Sequence, residues 1–200
     1  MSNAKFYWRQ AAEIQARNYV CGHCGNSLSS NDGYTKASNS DGSGATVAFI
    51  YICHHCLKPT HFEEGKHIPG ARYGEDVKGV SDSGVESLYK EARDSYSQSA
   101  FTASVLCCRK LLMHIAISKG AATGLKFIEY VEFLSSENYV PRDAKGWVDQ
   151  IRLIGNEANH EIVIMTEEQA KDLLSFVAML LKLVYEFPSK VPTSKAVTTP

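Results

Sequence analysis

The chain of 200 residues carries 21 Lys and Arg against 22 Asp and Glu, a net charge of −1, so nothing in the overall balance recruits a polyanion or an anionic membrane. The balance holds locally too: 8 basic and 7 acidic residues precede position 80, with 13 and 15 beyond it, and neither part is a basic nucleic-acid footprint. No apolar run approaches the roughly 20 residues that span a bilayer, and the N-terminus lacks a charged-then-apolar signal pattern. The expectation is a cytoplasmic protein without a membrane partner, whose six cysteines serve as metal ligands or reduced core thiols in preference to disulfides.

Residues 1–64 read as an N-terminal helix followed by a small metal-binding module. The helix, Lys5 to Asn18, is anchored by Phe6, Tyr7, Trp8 and Ile14 and runs straight into Cys21. Cys21-Gly22-His23-Cys24-Gly25 and Cys53-His54-His55-Cys56-Leu57 are two Cys-x-x-Cys turns. Between them lie a Ser/Asn/Gly-rich stretch, with Ser38–Gly44 as a flexible hairpin tip or loose loop, and the β-prone run Thr46–Ile52. This is the layout of a zinc ribbon. Two residues between cysteines let a tight turn aim both sulfurs at one ion, and two such turns complete a tetrahedron of thiolates. Gly25 permits the positive φ that closing such a turn often needs. Cys21, Cys24, Cys53 and Cys56 are therefore the metal ligands, for a structural Zn²⁺ with no open coordination position. His23, His54 and His55 could each replace a cysteine, but four cysteines suffice. The competing reading is a pair of redox disulfides.

Residues 65–81 hold Pro69, Gly70, Gly74 and Gly79 without a sustained period and read as a linker. Residues 82–187 read as a helical bundle. Ser83-Gly84-Val85-Glu86 matches a capping box, and Val85, Tyr89, Ala92 and Tyr96 form a stripe behind it. Phe101–Ser118 is apolar on more than one side and predicts the most buried helix; a short helix covers Lys126–Leu134. A further helix starts near Pro141. Thr166-Glu167-Glu168-Gln169 is a second capping box, opening a last helix through Leu173, Leu181 and Val184 to Pro188, and residues 188–200 read as a disordered tail. Within the central helix, Cys107 and Cys108 read as small hydrophobes, Arg109 as one half of a structural ion pair, and His114 as a satisfied core histidine.

The stretch from Ile151 to His160 combines apolar rhythm with reactive polar groups. At 100° per residue Trp147, Ile151, Ile154 and Ala158 fall within about 60° of one another, while Arg152, Asn156 and His160 form a second stripe roughly 170° away. Two readings stand: a hydrogen-bonded helix end, or a groove in which His160 moves a proton while Arg152 holds a phosphate.

Tyr89-Lys90-Glu91-Ala92, Ala103 through Leu112, and Ile151 through Glu161 with its Gly-Asn-x-x-x-His end resemble the domain of unknown function 4145 family, over roughly residues 80–187. Members of that family often carry a zinc-binding N-terminal module. It is similar in turn to the HEPN superfamily of helical bundles, found in prokaryotic defence and in RNA processing. The resemblance implies a mainly α fold, an HEPN-like antiparallel helical bundle preceded by a small β-containing zinc ribbon. Active members resemble one another in an Arg-polar-x-x-x-His motif that cleaves RNA without metal, usually across a dimer interface. Here the polar position falls on Asn156 and the histidine on His160, and the arginine position falls on Gly155. Arg152 lies one turn earlier and about 60° around the helix. The resemblance and the residues together suggest a binding module for RNA or a protein partner, possible as a homodimer. The alternatives are a metal-independent ribonuclease using His160 and a non-catalytic scaffold.

Overall fold

The computed structural model describes residues 10–141, 151 and 163–191. The chain divides into two compact units, Met1–Arg72 with Asp94–Ala100, and Tyr73–Arg93 with Phe101–Pro200.

In the first unit β1 (Ala12–Val20), β2 (Ser27–Ala37), β3 (Thr46–Ile52), β4 (Pro59–Glu63) and β5 (Lys66–Ile68) form one antiparallel sheet in chain order. A five-stranded sheet of this extent corrects the mainly α fold class: the described residues are a mixture of strands and helices. The difference begins with Lys5–Asn18, read as helix, whose described part from Ala12 onward is strand. Ala, Glu, Gln and Arg favour a helix by only a few tenths of a kcal/mol each. Pairing with β2 from Arg17 opposite Ser30 to Val20 opposite Ser27, with Tyr19 buried, outweighs that preference. β2 was hidden for the same reason: Asn31, Asp32 and Gly33 are poor strand formers, but the segment is hydrogen-bonded on both edges, to β1 and to β3.

The run Thr46–Ile52 is β3, as its composition requires, and Ser38–Gly44 is the hairpin tip that joins it to β2. Asp41 orders that tip by accepting from the Ser43 backbone N–H and hydroxyl at 2.9 and 2.7 Å. The unit's core is aromatic: Tyr19, Tyr51 and Phe62 pack together with Leu28 and the buried Cys21 and Cys53. Phe62 meets both tyrosine rings edge-on, at 5.2 and 5.4 Å between centroids. The Arg17 guanidinium lies over the Phe62 ring at 4.7 Å and covers this cluster.

The second unit is helical: α1 (Ser83–Ser97), which belongs to it as far as Arg93, α2 (Phe101–Ser118), α3 (Phe127–Ser136) and α4 (Glu167–Leu181). α4 continues through a π-helical segment, Lys182–Glu186, into a last turn, Phe187–Lys190. The start of α1 differs from its sequence reading by one residue. Asp82, not Ser83, is the cap; its Oδ1 accepts the Gly84 and Val85 N–H groups at 2.8 and 3.2 Å. The Thr166 box forms as read: Gln169 N–H donates to Thr166 Oγ1 at 3.2 Å, and Thr166 N–H to Gln169 Oε1 at 2.9 Å.

α2 packs against α3 and α4 and supplies the middle of the core through Val105, Leu111, Leu112 and Ile115. It is long and apolar enough to cross a membrane, contrary to the reading that no run approaches that length. Burial of these side chains among neighbouring helices accounts for its hydropathy.

The stretch read as a linker is structured. It contains β5, and its part from Tyr73 is fastened within the second unit. Arg93 donates to the Tyr73 and Gly74 carbonyls at 3.0 and 2.8 Å, Tyr89 Oη donates to the Glu75 carbonyl at 2.8 Å, and Lys78 N–H donates to Glu186 at 3.1 Å. Glycine and proline there suit a strap that follows irregular carbonyl positions.

Candidate metal centre

The four cysteines of the two Cys-x-x-Cys turns converge at one end of the sheet. The turn from Cys21 to Gly25 links β1 to β2, and that from Cys53 to Lys58 links β3 to β4, so the meander delivers both turns to the same edge. The turns are built alike. Gly25 N–H donates to the Cys21 carbonyl at 2.8 Å and Leu57 N–H to the Cys53 carbonyl at 2.7 Å. Each is then closed by the first cysteine's own N–H, which donates to the Asn26 carbonyl at 2.9 Å and to the Lys58 carbonyl at 3.0 Å. Both turns need a left-handed residue after the second cysteine. Gly25 provides it at φ 75°, and Leu57 takes it at φ 58°. Gly22 is required for a different reason: a Cβ there would lie 2.1 Å from the Gly70 carbonyl oxygen.

All four sulfurs lie within 4.8 Å of one another. The Cys21 and Cys56 sulfurs are 3.8 Å apart and those of Cys24 and Cys53 are 3.7 Å apart. Four sulfurs bound at about 2.3 Å to one tetrahedral ion stand about 3.8 Å from each other, so the cluster has the dimensions of a zinc–thiolate site. Those separations are far beyond the roughly 2.05 Å of a disulfide, and all six cysteines are free thiols. The disulfide reading is thereby set aside.

The thiols differ in acidity. Burial pushes Cys21 up and pushes Cys56 up to about 12. Burial acts upward on Cys24 as well, but hydrogen bonds from the Asn26 backbone and side chain outweigh it and bring this thiol down to about 7. The Asn26 amide donates to the Cys24 sulfur at 3.4 Å. Cys24 is thus the thiol readiest to give a thiolate at neutral pH, and a divalent cation would displace protons from the more buried ones. The three histidines lie outside the cluster. His23 donates from Nε2 to the Pro59 carbonyl at 3.0 Å, while His54 and His55 are exposed with their rings 4.4 Å apart.

Cys108 is fully buried, and burial raises its thiol; Cys107 is half-buried and raised by burial and by Glu91. Arg109 is buried with its guanidinium 4.5 Å from the centre of the Phe127 ring, and burial lowers its pKa. His114 is corrected from a core residue to an exposed one. Unlike the buried Leu111 and Ile115 near it on α2, its side chain is exposed, and Nε2 meets the Asp82 carboxylate at 3.1 Å. Ile151 is fully buried, as the apolar stripe predicts. Arg152, Gly155, Asn156 and His160 lie outside the described residues.

Sequence reasoning weighed His23 only as an alternative ligand and missed its bond to Pro59, and it missed Asn26 altogether. Their positions inside and just after the first turn were the available signal, and their partners at Pro59 and Cys24 were not legible.

A family model described as "Domain of unknown function (DUF4145)" matches residues 90–197. No curated protein and no solved structure matches the chain.

Proposed function

Since the chain belongs to the DUF4145 family, we propose that it is a binding protein in which a structural zinc ion holds the N-terminal sheet and the helical unit engages a protein partner, a second copy of this chain in the first instance. The observation that carries the proposal is the cluster of Cys21, Cys24, Cys53 and Cys56, whose 3.7 and 3.8 Å sulfur separations suit four thiolates around one zinc ion. Four protein thiolates complete the coordination of that ion and leave no position for a substrate, so its work is to hold the fold.

A protein partner is favoured over RNA by two features. The net charge of −1 provides little attraction for a phosphate backbone. On α2, Leu106 and Ile117 are exposed at 52% and 38%, and with Met113 they fall within about 40° of one another around the helix. An outward apolar stripe suits a protein surface. Sedimentation of the full chain tests this: a concentration-dependent dimer that Leu106→Lys with Ile117→Lys converts to monomer is expected. A wild-type protein that stays monomeric at micromolar concentration overturns the self-association.

The second reading is a metal-independent ribonuclease in which His160 acts as general acid or base, with Asn156 and Arg152 beside it. What favours it is that the family match spans these three residues. RNA cleavage that His160→Ala leaves unchanged would remove it.

A further inference from the structure

We infer that His23 is a positioning residue for the metal centre: its ring N–H, bonded to the Pro59 carbonyl, ties the first cysteine turn to the chain just beyond the second and keeps the two thiol pairs at ligating distance. The inference rests on the zinc reading above. Each turn is fixed internally by its own backbone hydrogen bonds, and those bonds do not set where one turn lies relative to the other.

Backbone pairing between the two hairpins sets it only at a distance. β1 and β2 are paired up to Val20 and Ser27, flanking the first turn, and β3 and β4 up to Ile52 and Pro59, flanking the second. The pairing that joins these two hairpins, β2 to β3, runs from Gly33 opposite Tyr51 toward the far end of the sheet. Ser27 to Asp32, the part of β2 nearest the cysteines, is outside that ladder. Among the described residues, and besides the sulfur contacts themselves, two side-chain bonds cross the opening: the Ser30 hydroxyl donates to the Ile52 carbonyl at 2.9 Å, and His23 Nε2 donates to the Pro59 carbonyl at 3.0 Å. His23 is the nearer to the metal site in sequence, since it stands immediately before Cys24, and Pro59 is three residues past Cys56.

The geometry also fixes the tautomer. A carbonyl oxygen only accepts, so the proton is on Nε2. Four thiolates within 4.8 Å repel one another even around a dication, and a turn free to swing lets its sulfurs move apart, which weakens their hold on the ion. Supporting hydrogen bonds around metal ligands are typically worth 10–100-fold in affinity, and that sets the expected effect.

The experiment is transfer of zinc from the full-length, zinc-loaded protein to a chromogenic chelator. His23→Ala is expected to release zinc about 10-fold or more faster than wild type, starting from the same one-to-one metal content. His23→Gln, whose amide N–H can reach the same carbonyl, is expected to restore release to near the wild-type rate. His54→Ala and His55→Ala, at exposed positions in the other turn, are expected to leave it unchanged. Equal rates for His23→Ala and wild type overturn the inference, as does a His23→Gln protein as fast as His23→Ala. Should His23→Ala not fold, ¹⁵N spectra of wild type decide: an Nε2-protonated ring in slow exchange supports the inference and an Nδ1-protonated ring overturns it. A wild-type protein that holds no zinc overturns the zinc reading itself, an outcome distinct from zinc-bound protein with unaltered release.

Discussion

The two units bury different kinds of surface. The first packs three aromatic rings and Leu28 around two buried cysteines, with an exposed arginine as its cover. The second buries a long aliphatic series, in which Leu111, Leu112, Ile115, Leu134, Leu173, Leu174, Leu180 and Leu181 are almost wholly removed from solvent. At roughly 25 cal/mol per Å² of apolar surface, a set of fully buried leucines sustains a helical core without covalent or metal staples. A sheet with one small aromatic cluster does not, and a zinc ion held by the cysteines at its end, as proposed, would supply the missing constraint. On the proposed zinc reading, metal dependence belongs to the first unit and packing dependence to the second.

Removal of the metal should separate the units most sharply. Chelation, or Cys53→Ser, is expected to unfold the sheet, with loss of the β signal in circular dichroism, while α-helical signal and its thermal transition persist. Zinc binding by small structural sites contributes on the order of 10 kcal/mol at neutral pH, enough to decide whether such a module folds. A sheet that stays folded without metal would break the comparison.

The converse change is Leu174→Ala in α4. A cavity at a fully buried leucine costs about 2–5 kcal/mol, and the helical transition should fall accordingly while zinc content is unchanged. Loss of zinc in that variant would show the two units to be one cooperative structure.

The smallest effect concerns Tyr89, which burial pushes up to about 12 from an ordinary value of 10.0. A phenol that ionises less readily when folded adds stability that is complete below about pH 10 and is lost as pH rises through about 12. Helical stability should drop across that window, and Tyr89→Phe should lessen the drop. At neutral pH the same variant loses the hydrogen bond to the Glu75 carbonyl and should cost about 1 kcal/mol. An alkaline profile identical to wild type would assign the drop to other groups.

Legibility in the sequence followed the range of the interactions responsible. The α2, α3 and α4 segments, the Thr166 box, the β3 run and the two cysteine turns were readable, because each is specified by residues within a few positions of one another. β1 and β2 were not, since Ala, Glu and Gln in one and Asn, Asp and Gly in the other have no local reason to extend; pairing across the sheet supplies it. His114 was misplaced because periodicity in a helix apolar on several sides does not mark its outward face, which Asp82 reveals.

By itself, then, the sequence determined four thiols in two like turns and a set of helices with enough leucine to bury. Only the tertiary structure decided that the thiols meet within 4.8 Å, that Leu57 takes the left-handed role of Gly25, and that His23 reaches Pro59. Spacing fixes what a turn can present, because a turn is short and its bonds are its own. Which turns face each other depends on strand register, and register is set by contacts tens of residues apart.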